Sequence, residues 1–465
     1  MPIIRIHEAM NNHKWSEALA QAHPPGLVTF GGEFAPAAPA DLRATGLNPT
    51  VVSDLALKAA YTVPQFTAEW AARRLHLPQT LLNEALEQLR TDHLLEVLGQ
   101  AGPFGFRYAI TNRGRERASR LLEISGYIGP APVSLETYKS MLEWQLAHAP
   151  EVTPQDVADA LAELVLRKDD ALLAGLAAVS GRSLFVYGPP GNGKTSLGRM
   201  LNDALRGDLW IPYCIGIEDN IIRVFDSQVH ERVEVKVEEP WAIDPRWVRI
   251  RRPMIVGGSE MTLGSFDLVY SHSLRYYEAP LHLKANGGTF LIDDYGRQRV
   301  NPRELLNRWI IPLEHRIDHL TLQTGQVIQV PFLQMLIIAT NLDLEHVTDP
   351  AFLRRMGYRL YLGEPSAGDY SQIFERFASR HGMPVQPGLV ERLLARYSSE
   401  KRQLRCCEPR DLIERARDIC RFTGRPLELN DEIMALAWTG YFGNEARRRS
   451  IPDSLPTIGA QPAHV

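Results

Sequence analysis

The stretch SLFVYGPPGNGKTS, residues 183–196, decides how the rest of the chain is read. Residues 183–187 are a short apolar run of the kind that forms a buried strand, and they pass straight into a loop of small residues. From Ser196 to 205 the pattern is helical. GxxxxGK[ST] between a strand and a helix is a phosphate cradle. Gly188, Pro189, Pro190, Gly191, Asn192 and Gly193 let backbone N–H groups wrap phosphate oxygens at a helix N-terminus, with Ser196 just beyond. Lys194 adds a point charge for the β- and γ-phosphates, and Thr195 a hydroxyl for Mg²⁺. ATP and Mg²⁺ are therefore the expected cofactors.

A second metal-binding element stands downstream. GGTFLIDD, residues 287–294, is an apolar strand ending in two carboxylates. Asp293 is placed to hold Mg²⁺ through water, and Asp294 to orient an attacking water. LQMLIIATN, residues 333–341, is another buried strand, ending in the amide of Asn341. DPAFLRR, residues 349–355, reads as a short helix carrying Arg354 and Arg355, and CEPRDLIER, residues 407–415, as a helix with Arg410 in its first turn.

These motifs, in this order, resemble the AAA+ ATPases over roughly residues 150–442. The resemblance implies that Lys194 and Thr195 are Walker A, Asp293 and Asp294 Walker B, and Asn341 sensor 1. It makes Arg354 or Arg355 an arginine finger for a neighbouring subunit, and Arg410 sensor 2 on a helical lid. The implied fold is α/β: a three-layer αβα P-loop core with an α-helical lid, acting as a hexamer or other ring. The family usually has Asp-Glu at Walker B, whereas Asp294 is one methylene shorter, so slow hydrolysis and switch-like use of ATP both stay open. KANGGTFLIDD, residues 284–294, with the hairpin-like HLTLQTGQVIQV, residues 319–330, is similar to AAA+ proteins carrying an extra hairpin before sensor 1. These include MoxR-type chaperones, magnesium chelatase and enhancer-binding activators, although the activators' GAFTGA loop is absent.

Upstream, residues 48–125 read as a small α+β winged helix. TAEWAARRL (67–75) and a second helix from Pro78 to Arg90 precede two strand-like pieces at 94–98 and 106–110. YAITNRGRERA, residues 108–118, looks like the wing-to-helix junction of that family. The outward side of the second helix carries Gln79, Thr80, Asn83, Glu84, Glu87 and Gln88, with Arg90 only at its end. Carboxylates repel phosphate, so this face favours a protein partner over duplex DNA. The junction arginines (Arg107, Arg113, Arg115, Arg117, Arg120) leave DNA as the competing reading.

The remaining boundaries follow composition. Residues 1–47, with Pro24, Pro25 and FAPAAPA at 34–40, read as a flexible arm, 126–150 as a linker, and 444–465, with Arg447, Arg448 and Arg449, as a tail. The ATPase core spans 151–363 and the lid 364–443. An insert at about 207–280 holds strand-like runs at 209–217, 220–225, 232–237 and 247–250. There Arg246, Arg249, Arg251 and Arg252 lie beside Trp241 and Trp247, facing Glu231, Glu234, Glu238 and Glu239. Two readings stay open: a grip on a nucleic-acid strand or peptide, and a subunit interface.

Composition bounds the rest. In 465 residues, 51 Lys+Arg against 55 Asp+Glu leave a charge of −4, so nothing draws the whole surface to nucleic acid. No apolar run approaches the ~20 residues of a membrane span. Cys214, Cys406, Cys407 and Cys420 make no CxxC pair, so neither zinc nor a disulfide framework is indicated. A cytoplasmic, Mg²⁺-dependent ATP hydrolase working on a protein client is the expectation.

Overall fold

Five apolar runs form the central sheet of the computed structural model, which describes residues 26–30, 32–101, 105–235, 242–342 and 350–443. They are β1 (Leu184–Tyr187), β2 (Met254–Gly257), β3 (Thr289–Ile292), β4 (Met335–Thr340) and β5 (Tyr358–Tyr361). All neighbours are parallel, in the order β2-β3-β4-β1-β5. Every residue of β3 and β4 is buried, as unbroken apolar strands covered on both faces must be. On one face Phe185, Phe290, Ile292, Leu336 and Ile338 pack with Leu305, Leu306 and Trp309. On the other, Gly198 of helix Lys194–Asp203 comes so near the sheet that a Cβ there would lie 3.1 Å from Leu291. Each large apolar side chain buried this way contributes about 1.5–3 kcal/mol.

By internal packing the chain divides into two compact units. Among the described residues, the first draws on those up to Leu161 with Lys168–Tyr187 and Thr195–Tyr361, and the second on Ala162–Arg167, Gly188–Lys194 and those from Leu362 on. The second is helical: Ala367–Arg380, Leu389–Ser399, Glu408–Thr423 and Asp431–Phe442 close around Tyr370, Phe374, Tyr397 and Trp438. Ser366 and Asp369 form a reciprocal capping box on its first helix.

In the first unit, residues 49–124 run helix Pro49–Tyr61, strand Phe66–Thr67, helices Ala68–Leu75 and Gln79–Thr91, strands Leu95–Gln100 and Phe106–Ile110, then helix Asn112–Ile124. The three strands form one sheet with Phe106–Ile110 in the middle. Thr111 caps the last helix by accepting from Gly114 N at 3.0 Å and donates to His93 O at 2.9 Å. A Cβ at Gly114 would overlap the Leu94 carbonyl, so this junction admits only glycine.

The sequence expectations need correcting in four places. Within the expected arm, Leu27–Phe30 and Glu33–Pro36 pair as a hairpin, Ala35 is fully buried, and Phe34 O accepts from Trp210 Nε1 at 3.0 Å. Small residues there serve close backbone docking rather than flexibility; residues 1–25 and 444–465, including the arginine triplet, lie outside the described residues. The expected linker contains strand Val133–Ser134 and helix Leu135–Ala147, whose Tyr138, Met141 and Leu142 are core residues. Gln145 bonds the backbone of Trp210 as both donor (3.0 Å) and acceptor (2.7 Å).

Inside the expected insert, Leu209–Pro212, Cys214–Ile217, Asn220–Arg223 and Trp247–Ile250 are strands, but Met254–Gly257 is β2 of the central sheet. Of the run beginning at 232, the described residues make a bridge from Arg232 to Ile250, with Val233 N donating to Arg249 O at 2.9 Å and Arg251 N to Glu231 O at 3.0 Å. Finally, the basic cluster faces its own chain. Arg246, 3% exposed, bonds both oxygens of Asp244 and the carbonyls of Thr45 and Pro132. Arg249 pairs with Glu33 and Asp208, Arg251 with Glu231, and Arg252 caps the carbonyls of Arg206, Gly207 and Gly287. Trp247 is buried, and Trp241, Glu238 and Glu239 lie outside the described residues.

Strands Ile317–Thr321 and Val327–Pro331 form the expected hairpin. Arg308 clamps its base through two bonds to Asp318, at 2.6 and 2.7 Å. Leu320, Leu322, Ile328 and Val330 share a core with Trp210, Ile222 and Trp247, so hairpin and insert form one packed block.

Candidate functional site

The register of the central sheet sets the strand ends level. Tyr187 pairs with Thr340, and Ile338 with Ile292, so the residues following β4 and β3 emerge on one carboxyl edge. That edge is where open parallel sheets hold ligands. After β3, Asp293 receives the Thr195 hydroxyl, with 2.9 Å to each carboxylate oxygen. After β4, Asn341 Nδ2 donates to Asp294 Oδ1 at 3.0 Å. The two carboxylates thus have separate partners.

Asp294 has φ +48, in the left-handed region. Asp and Asn tolerate that backbone far better than other non-glycine residues. The turn after β3 therefore suits Asp at this position. Gln298 braces it, accepting from Gly296 N at 2.8 Å and donating to Asp293 O at 2.9 Å. Thr340 Oγ1 donates to Tyr295 O at 2.7 Å. Gln298 and Tyr295 were missed in the sequence, where nothing distinguishes them from ordinary loop residues.

In the helical unit, Gly188, Gly191 and Gly193 have φ of 136, 84 and 84, which carry the backbone through a curve closed to other residues. Lys194, 7% exposed, lays its ammonium on the carbonyls of Gly188 (2.9 Å) and Pro189 (2.8 Å). Cys407 N donates to Gly191 O at 2.9 Å, and Cys406 N to Asn192 Oδ1 at 3.2 Å. A Cβ on Gly191 would lie 2.7 Å from Cys407 Sγ. Burial pushes the Cys406 thiol up to about 11 and raises Cys407, so neither adds negative charge beside the loop at neutral pH. No sequence signal marked these cysteines as loop contacts.

The residues suit the expected ligands. Thr195 and Asp293 are hard oxygen donors of the kind Mg²⁺ takes. Asn192 is 4% exposed, and its Nδ2 has no partner among the described residues, a donor held ready in a glycine cradle. The arginines divide. Arg354 is exposed, whereas Arg355 pairs with Glu314 at 3.1 Å. Arg410 bonds Asp411 at 2.9 Å, which holds its pKa up, and half of its side chain is exposed. Ser196 is exposed, and Pro189 and Pro190 line the outer turn of the loop.

A family model described as a domain of unknown function (DUF8689) matches residues 366–440, within the helical unit. No curated protein matches the sequence. Among solved structures, the similarities are distant. The P216G mutant of RuvB from Thermotoga maritima has a TM-score of 0.35 at 13% identity, over 63% of this chain and 73% of that one. The T. maritima RuvB Holliday junction branch migration motor gives 0.34 at 15%, over 59% and 67%. NtrX from Brucella abortus in complex with ADP gives 0.37 at 12%, over 63% and 57%. No described helix is long and apolar enough to cross a membrane.

Proposed function

We propose that the chain is a Mg²⁺-dependent ATPase of the AAA+ type that turns nucleotide state into remodelling or assembly of a protein partner. The observation that carries this reading is the Thr195 hydroxyl on both oxygens of Asp293, directly after a glycine-built phosphate loop. Gly188, Gly191, Asn192 and Gly193 bind the phosphates through N–H donors, and Lys194 leaves its carbonyl rests to reach the β- and γ-phosphates. Thr195 and Asp293 would hold Mg²⁺, whose charge would offset that of the phosphates. Asp294, aimed by Asn341, accepts a proton from the attacking water. Arg354, exposed and unlike Arg355 not tied to Glu314, is the better finger for a neighbouring subunit. Residues 48–125 are read as a winged helix that recruits the partner, and 364–443 as the lid. Because hairpin and insert share one core, they act on a client as a single block.

The DNA reading is weakened from within. Arg246, Arg249 and Arg252 are consumed by their own carboxylates and carbonyls, leaving the arginines of 107–120 as its basis.

Titration with ATP, with and without Mg²⁺, tests the proposal, alongside hydrolysis assays on Lys194→Ala and Thr195→Val. Wild type should bind ATP, Lys194→Ala should not, and Thr195→Val should lose the Mg²⁺ dependence. Failure of wild type to bind at millimolar ATP would overturn the reading.

A further inference from the structure

We infer that the N-terminal α+β region docks head-to-tail on the same region of a second copy of this chain. Helix Pro49–Tyr61 lies between two helices and packs on both. Helix Gln79–Thr91 and the strand after it expose Glu84, Glu87 and Glu96, with Asp92 half-buried. Arg90 is the one arginine there, and it is spent on Glu87 at 2.7 Å. Helix Asn112–Ile124, with strand Phe106–Ile110 beside the strand that carries Glu96, exposes Arg107, Arg113, Arg115, Arg117 and Arg120 against Glu116 and Glu123. Only Arg117 has an ion pair among the described residues, with Asp54 at 3.2 Å.

One small region therefore carries an acidic face and a basic face on different helices. A second copy supplies the complement of each, with no other partner required. In the head-to-tail arrangement proposed, the acidic face of one copy meets the basic face of the next and the contact is heterologous: copies add in one direction, closing into a ring or running on as a filament. Val97, Leu98 and Phe106 are exposed on the hairpin joining the two helices, at 40%, 55% and 45%, and give the contact apolar area. The association uses no residue of the phosphate loop, so it stands or falls apart from ATP turnover.

The test uses the full chain without nucleotide, by sedimentation velocity at low and high salt. Self-association should fall roughly tenfold as screening shortens the reach of the charges. Reversing the acidic face (Glu84→Arg with Glu96→Arg) or the basic face (Arg113→Glu with Arg115→Glu) should abolish self-association. Mixing the two variants should restore it one-to-one, which a misfolded chain could not do. The fourfold variant, reversed on both faces, should self-associate like wild type. Association indifferent to both reversals, or a mixture that stays apart, would overturn the proposal. So would a response to the basic reversal alone, which would point to a nucleic acid. ATP binding by every variant, measured in parallel, separates this outcome from failure of the ATPase reading.

Discussion

Asn341 Nδ2 holds Asp294 Oδ1 at 3.0 Å, tying the end of one parallel strand to the end of its neighbour. A carboxylate fixed by an amide keeps one oxygen for hydrogen bonding and the other for a water. Asp294→Asn should bind MgATP with near wild-type affinity and hydrolyse it about 10²–10⁴-fold more slowly, as loss of a general base does. Asn341→Ala should lower kcat with little change in KM, because the carboxylate survives unaimed. Single-turnover hydrolysis with equilibrium binding on both variants checks the split; loss of binding in Asp294→Asn would remove it from the catalytic role.

The backbone at Asp294 makes a separate claim. With φ at +48, a longer non-glycine side chain there is strained by about 1–2 kcal/mol. Asp294→Glu should therefore destabilise the first unit modestly while bringing the carboxylate nearer the water. If hydrolysis is held back by reach, Glu raises kcat even as Tm falls. Thermal unfolding and steady-state rates on the same preparation decide this, and a fall in both would show that the turn was built around Asp.

Much of this candidate site was legible in the sequence because the phosphate-binding chemistry proposed for it needs rare residues at fixed spacing. A glycine loop ending in Lys194 and Thr195 has few other uses, and an apolar strand ending in Asp293 and Asp294 is nearly as telling. What the sequence hid was tertiary. Arg246 and Arg252 look in the chain like any exposed basic cluster; only the fold brings Thr45, Pro132 and Gly287 to them. Met254–Gly257 is too short and too ordinary to be told from its neighbouring hairpin strands, yet it pairs with β3. The contact of Cys407 with Gly191 joins positions more than two hundred residues apart, for which no local pattern exists.

That contact can be tested directly. Gly191→Ala places a methyl 2.7 Å from Cys407 Sγ at a φ of +84, so both sterics and backbone oppose it. ATP affinity should fall by at least tenfold, measured by titration. Adding Cys407→Ala removes the clash but not the backbone strain, so affinity should recover only in part. Full recovery would show that the sulfur alone held the loop in shape.

The buried arginine separates scaffold from binding surface. Arg246→Ala strands Asp244, which is itself 3% exposed, and breaking a buried pair this way costs about 3–5 kcal/mol. Arg251→Ala, at an exposed pair with Glu231, should cost about 0–1 kcal/mol. Urea unfolding followed by Trp fluorescence should show that contrast. Equal effects would mean that the Arg246 cluster is not the internal tie described here.

A pH experiment probes the core beneath the acidic and basic helices. Lys58 is 5% exposed, donates to Ser125 O at 3.1 Å, and is pulled down to about 8 by burial. Its ordinary value lies near 10.5, so between pH 8 and 10 the unfolded chain holds this proton more tightly than the folded one. Stability from this group therefore rises with pH across that window, by at most about 1.4 kcal/mol per pH unit. Lys58→Met removes the titration. Chemical unfolding from pH 7.5 to 9.5 should show the gap between Lys58→Met and wild type narrowing steadily as pH rises. The raised pKa of Tyr108 works in the opposite sense, but only near pH 10 and above, beyond the range used. A gap that stays constant would mean that Lys58 titrates in the folded protein as it does in the unfolded chain.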